Sequence, residues 1–172
     1  MGKKSGYRLK KKNNTYIFKN NYVEGFTEKG EKFILDLEDF DKIKNFYWHI
    51  ENGYARRRVR VEGGKRKRIQ MQHFILGVDP KTMIDHIDRN RANNCKNNLR
   101  PCNKSTNGMN GGVPKDSSTG IRGVRHYKDK YSVYITENGK RHYLGLYSTI
   151  EEAANVRKQA EEKYFGEFAP KQ

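Results

Sequence analysis

The sequence predicts an α+β protein in which short antiparallel strands outnumber helices, and three observations predict it. Short segments rich in Tyr, Phe, Val and Ile alternate with charged residues and are cut by Gly and Asn turns. Few stretches carry the 3.6-residue period of a helix. The composition also changes at Gly108–Gly120, where Gly, Pro and Ser accumulate and periodicity vanishes. The expected organisation is therefore a basic, β-rich N-terminal region (1–72), a central strand–loop–strand–helix element (73–110), a linker (111–120), and a small C-terminal domain of three-stranded antiparallel sheet packed on one helix (121–170).

Met1–Asn14 reads as a mobile basic arm without the apolar core of a signal peptide. Tyr16–Phe18, Tyr22–Thr27 and Lys32–Leu35 are strand candidates, with turn points at Gly25 and Gly30. Asp36–Asn45 carries a helical pattern through Leu37, Phe40 and Ile43, and Phe46, Tyr47 and Trp48 read as core. Gly53–Gln72 is the clearest hairpin, two strand-like arms around Glu62-Gly63-Gly64. Period two puts Arg56, Arg58 and Arg60 on one face and Arg57, Val59 and Val61 on the other. A two-stranded ribbon fits the major groove, so these three arginines are expected on phosphates or guanine edges.

Composition sets the class of partner. Lys and Arg total 36 against 20 acidic residues in 172, a net charge of +16 spread along the chain, which calls for a polyanion. A membrane surface is excluded as partner by the lack of a long apolar run or a basic amphipathic helix. Hydrophobic residues make up 34%, so each core must be small. Cys95 and Cys102 do not form a CxxC pair, which argues against a disulfide framework or a four-ligand zinc site and for reduced thiols in a cytoplasm. His73 precedes the apolar run Phe74–Leu76 and is assigned to a packing helix.

Met83–Asn110 holds the densest chemistry. Asp85-His86 is followed by Asn98, twelve residues beyond the histidine, and by Asn107, nine further on. Met83–Ile87 is a strand candidate, Asp88–Lys96 a polar loop, Asn98–Cys102 a returning strand, and a short helix capped by Asn103 or Ser105 follows. In that arrangement Asp85 and Asn107 offer oxygens to one metal ion with His86 alongside. A carboxylate and an amide oxygen are hard ligands, suited to Mg²⁺ or Mn²⁺. An imidazole titrating near neutrality takes a proton from water. Arg89, Arg91 and Arg100 place basic side chains where a scissile phosphate would lie.

Asp85-His86-Ile87-Asp88, Asn98-Leu99-Arg100 and Asn107 together resemble the HNH endonucleases, especially the phage and intron-encoded homing branch, whose core is a ββα-metal motif. The resemblance implies that Asp85 binds the metal, that His86 is the general base, and that Asn98 braces the hairpin loop. It makes Asn107, where many relatives carry histidine, the second ligand of a single divalent ion. It further implies hydrolysis to a 3′ hydroxyl and a 5′ phosphate.

Downstream, IRGVRHY, KYSVYITE and KRHYLGLYS read as three strands, the last two joined by Asn138-Gly139. Thr149–Glu152 is a capping box opening a helix with the stripe Ile150, Ala153, Ala154, Ala160 and Tyr164. Alternation turns Val133, Ile135, Leu144 and Leu146 toward the helix, and Ser132, Tyr134, Thr136, Arg141 and Tyr143 away. Arg122-Gly123-Val124-Arg125, Tyr143-Leu144-Gly145 and Ser148–Ala154 resemble the plant ethylene-response-factor (Apetala-type) DNA-binding domain. That resemblance implies a sheet laid in the major groove, with Arg122, Arg125, Lys130, Arg141 and Tyr143 as contacts. Tyr143 replaces the usual tryptophan, and Tyr134 and Thr136 stand where plant relatives carry Glu and Arg, so base preference does not transfer. Strict alternation opposes Arg122 to Arg125 unless Gly123 marks a bulge.

The expectation is a homing-type, metal-dependent endonuclease acting on double-stranded DNA. It would work as monomer or homodimer, without small-molecule cofactor, in a bacterial or phage-infected cell. The alternatives are a catalytically inactive, sequence-specific DNA-binding regulator and, third, an RNA binder.

Overall fold

The computed structural model describes residues 13–170, so the predicted basic arm lies outside the described residues apart from its last two. Asn14 is anchored: its Nδ2 donates to the Phe26 and Trp48 carbonyls at 3.2 and 2.9 Å, and its Oδ1 accepts the Trp48 amide at 2.8 Å. The fold is α+β, with small antiparallel sheets and few helices. The chain divides into two compact units, one reaching to Val78 and including Arg91–Lys96, the other made of Asp79–Asn90 and the residues from Asn97 onward.

In the first unit, β1 (Thr15–Phe18), β2 (Tyr22–Phe26) and β3 (Lys32–Asp36) form an antiparallel sheet in sequence order. Gly25 lets the Phe33 ring lie against the backbone, where a Cβ would sit 2.3 Å from ring atoms. A single 3-10 turn leads into α1 (Phe40–Ile43), which is shorter than the expected helix. The chain turns there because the Ile43 carbonyl accepts the Trp48 indole N–H at 3.2 Å, which sends Trp48 into the core. β4 (His49–Glu51), too short to stand out by periodicity, adds a third strand to the predicted hairpin of β5 (Tyr54–Arg60) and β6 (Arg66–Gln70). α2 (Met71–Leu76) follows, ending at Gly77 with φ 66°. Trp48, Phe33, Leu35, Ile43, Val23, Ala55, Met71 and Ile75 make the core. Residues 91–96 join β3 through Ile34 N–H to the Ala92 carbonyl and Asn94 N–H to the Ile34 carbonyl, both 2.8 Å.

The second unit holds β7 (Met83–His86), β8 (Leu99–Cys102) and α3 (Lys104–Met109), then β9 (Val124–Tyr127), β10 (Lys130–Glu137) and β11 (Lys140–Tyr147) as a sheet ordered β11-β10-β9, and α4 (Ile150–Phe165). Asn138 and Gly139 take φ 48° and 78°, the left-handed pair that a tight hairpin needs. The Thr149–Glu152 capping box forms. Met109 of α3 packs with Ile135, Ala160 and Phe165, so the central helix and the C-terminal sheet share one core.

Two expectations here are corrected. β10 and β11 pair Val133 with Gly145 but Tyr134 with Tyr143, leaving Leu144 as the extra residue of a bulge. Alternation reverses across it: Leu144 packs inward while Leu146 stays 39% exposed instead of facing the helix. The predicted apolar stripe of α4 also lacked Arg157, which is buried and donates to the Tyr134 carbonyl at 2.6 Å while pairing with Glu161.

Candidate active site

β7 and β8 pair antiparallel with Asp85 opposite Arg100 and His86 opposite Leu99. The turn between them is closed by Asn98, whose Oδ1 accepts the Asp88 amide and whose Nδ2 donates to the Asp88 carboxylate, both at 2.9 Å. The Ile87 amide donates to the Asn98 carbonyl and the Arg89 amide to the His86 carbonyl, which fixes the backbone after His86. Asp85, His86 and Asn98 are all buried.

Among the described residues Asp85 has two side-chain partners, Arg100 and Asn110. Arg100 places Nε and Nη2 on Oδ2 at 2.9 and 2.7 Å. Asn110 donates its amide to Oδ1 and Oδ2 at 3.0 and 3.1 Å and to the His86 carbonyl at 2.9 Å. With the Ile87 carbonyl at 3.4 Å, four acceptors around one nitrogen fix the orientation of the amide. The pairs follow from local structure: residues directly opposite in an antiparallel ladder share a face, which brings Arg100 to Asp85. α3 starts at the Asn103 cap, where side chain and backbone exchange hydrogen bonds with Thr106 at 2.9 Å, and its end delivers Asn110.

Asn107 lies on α3 with its side chain exposed, and Asn110, three residues on and hence on the same helical side, is the asparagine that meets Asp85. Asn110 was not singled out in the sequence; its spacing from Asn107 was the available signal. Arg100 is engaged by Asp85 rather than open to a phosphate. Arg91 stacks over Tyr54 at 4.9 Å and donates to the Asn52 carbonyl at 3.3 Å. Arg89 is exposed, with φ 63°. Burial pushes the Cys102 thiol up, with the Asp85 charge adding to it and Arg100 working against it.

The donor set suits a small hard cation. Oδ2 of Asp85 is filled by Arg100 and the shared Asn110 contact, but among the described residues Oδ1 receives only the Asn110 amide, which leaves a lone pair. Oδ1 of Asn110, 2% exposed, has no hydrogen-bond partner among the described residues, while the amide of Asn107, exposed on the same side of α3, is the second hard oxygen open to such an ion. Elsewhere Asp36, Glu38 and Asp39 also cluster, but Lys96 Nζ bridges Glu38 and Asp39 and supplies the cation itself.

Two basic surfaces were expected. On the hairpin, Arg57 stacks over Phe46 at 3.7 Å and Phe74 at 4.9 Å, so Arg56, Arg58 and Arg60 lie on the opposite face. Arg58 and Arg60 are exposed, while Arg56 bonds Glu51 at 3.2 Å. The register sets Arg68 opposite Arg58 and Arg66 opposite Arg60, two arginines that the sequence reading left out. On the C-terminal sheet Arg125, Lys130, Arg141 and Tyr143 are exposed; Arg141 stacks on Tyr134 at 3.8 Å, and Tyr134 lies 5.2 Å from Tyr143. A groove of about 610 Å³ runs between Arg125, Thr136 and Arg141 and the segment carrying Asp116 and Ser117.

Arg122 is corrected. Its guanidinium donates to the carbonyls of Gly108, Met109 and Gly111 at 2.7–2.9 Å, satisfying the last acceptors of α3 instead of facing outward. Gly123, φ 76°, turns the chain so: a Cβ there would sit 2.3 Å from the Tyr134 carbonyl oxygen.

No family model matches the chain, and no solved structure matches it. A protein of Acanthamoeba polyphaga mimivirus, named an uncharacterized HNH endonuclease, is 30% identical over 149 residues, covering 82% of this chain and 74% of that protein. Protein 3.8 of Escherichia phage T7 is 31% identical over 107 residues, 60% of this chain and 88% of its own length. With that extent of shared sequence to the mimivirus protein, the chain belongs to the HNH endonuclease family.

Proposed function

We propose that the chain is a homing-type HNH endonuclease that binds an extended DNA duplex and hydrolyses a phosphodiester bond with one divalent ion and a histidine base. The observation that carries the proposal is the buried set of Asp85, His86 and Asn98 on a single hairpin, closed from the α3 side by Asn110. In this reading β7, β8 and α3 are the ββα-metal core. Asp85 and the amide oxygen of Asn107 would hold Mg²⁺ or Mn²⁺, which neutralises charge building on the phosphate and the leaving oxygen. His86 takes the proton of the attacking water, and Asn98, by closing the loop on Asp88, keeps the imidazole's backbone in place. Arg89, exposed at the turn, meets a neighbouring phosphate. The products are a 3′ hydroxyl and a 5′ phosphate.

Binding is shared along the chain. The hairpin arginines Arg56, Arg58 and Arg60 form one contact surface. Arg125, Lys130, Arg141 and Tyr143 form the other, on a C-terminal module read as ethylene-response-factor-like with its outward face in the major groove. Several modest contacts on one polypeptide multiply affinity through effective concentration, so a small enzyme recognises a long site. One active site per chain cuts one strand at a time. A monomer nicks, and a double-strand break takes a second copy or a second binding event.

The test is incubation of a random-site duplex library in supercoiled plasmid with Mg²⁺ or Mn²⁺. Wild type relaxes a subset of plasmids, and His86→Ala slows this by about 100-fold or more while retaining DNA affinity. Equal rates for the two proteins would overturn the assignment of the base, and a wild type inert with both ions would overturn the nuclease reading.

A further inference from the structure

Arg100 does more than pair with Asp85. Its Nη1 donates to the Glu167 carbonyl, and its guanidinium lies 4.2 Å from the centre of the Phe168 ring. Both residues belong to the 3-10 turn Gly166–Phe168, which follows α4 at a Gly166 with φ 52°. Phe168 in turn packs on the core shared by Met109, Ile135 and Phe165. The chain's C-terminal helix thus ends on the guanidinium that grips the Asp85 carboxylate.

We infer that the turn Gly166–Phe168 is part of the active site, a seat that holds Arg100 so that Arg100 occupies Oδ2 of Asp85 and leaves Oδ1 to the metal. An arginine opposite a carboxylate in a two-stranded ladder has four side-chain torsions to fix, and an exposed pair of this kind is weak. Here the ring covers one face of the guanidinium and the carbonyl binds the nitrogen that Asp85 does not use, which reduces the pair to one geometry. Arg100 and Phe168 are positioning residues. Neither would hold the ion; together they would set which Asp85 oxygen stays open to it. The module proposed to read DNA therefore also completes the catalytic centre.

The catalytic consequence rests on the nuclease reading; the seat itself does not. Phe168→Leu keeps an apolar side chain in the core and removes the ring, and Phe168→Tyr keeps the ring. In metal-free protein the Arg100 Nε–H signal, followed by NMR, is protected from solvent exchange in wild type and Phe168→Tyr, and exchanges rapidly in Phe168→Leu. At saturating Mn²⁺, kcat of Phe168→Leu falls about five-fold, DNA affinity and far-UV CD are unchanged, and Phe168→Tyr restores the rate. Arg100→Lys, which cannot stack or bind one oxygen with two nitrogens, reproduces the leucine variant. An Arg100 signal as protected in Phe168→Leu as in wild type, or an unchanged kcat, overturns the inference. If the Arg100 signal responds as stated but wild-type protein never cuts, the seat stands and the nuclease reading falls.

Discussion

Replacing Asn110 by aspartate exchanges one amide nitrogen for an oxygen and leaves the shape of the side chain unchanged. That nitrogen donates to both Asp85 oxygens and to the His86 carbonyl within 3.1 Å, so three attractive contacts become repulsive at a buried position. At an effective dielectric of about 20, like charges 3.0 Å apart repel by about 5.5 kcal/mol. Uptake of a proton by one carboxyl caps the cost, giving a loss of about 3–4 kcal/mol at neutral pH. Burial and the neighbouring charge hold the introduced carboxyl above its unfolded-state pKa. Its penalty is therefore smallest at about pH 4 and grows as the pH rises to about 8. Urea denaturation followed by far-UV CD measures the loss. Fluorescence of Trp48, the single tryptophan and a core residue of the first unit, serves as an internal control. A variant as stable as wild type at pH 8, or a deficit that does not shrink on acidification, would refute the reasoning.

Arg58 and Arg68 face each other across β5 and β6, so replacing both by Gln relieves like-charge repulsion that outweighs the loose, exposed 3.9 Å Arg68–Glu51 pair and stabilises the free protein by about 0.2–1 kcal/mol. If the hairpin lies on DNA, the same change lowers the slope of log affinity against log salt by about 2, read by fluorescence anisotropy across a salt series. An unchanged slope removes this face from the interface. Burial first, and the Arg58 charge second, hold His49 below its ordinary 6.5. A depressed folded-state value means that stability is present above pH 6.5 and is lost as pH falls below it, and Trp48 fluorescence in denaturant reports the loss. His49→Gln flattens that dependence; a variant with the wild-type slope would assign the acid sensitivity to another group.

Much of the fold was legible because it rests on local rules. Asn138-Gly139, the Thr149–Glu152 box and the Asn103 cap are short-range signals whose geometry needs only neighbouring residues. The features that escaped depend on register or on distant packing. The bulge at Leu144 reverses the facing of Leu146, and period-two reading has no means of placing an extra residue. Arg122 reads as a basic contact until Gly123 is seen turning it onto the end of α3. In the candidate site, the spacing of Asp85, His86 and Asn98 was what drew attention to one hairpin, where the structure buries all three. Arg100 and Asn110 needed the β7–β8 register and the end of α3, which fix the hydrogen bonds to Asp85 only once the hairpin is closed.

The most direct test of a metal centre at Asp85 is anomalous diffraction from crystals of the full chain soaked in Mn²⁺. One strong peak is expected about 2.1 Å from Asp85 Oδ1, with an oxygen of Asn107 completing the protein ligands and waters the remainder. A peak bound instead at Asp36, Glu38 and Asp39, or Asp85 and Asn107 pointing to separate sides with no ion between them, would contradict it.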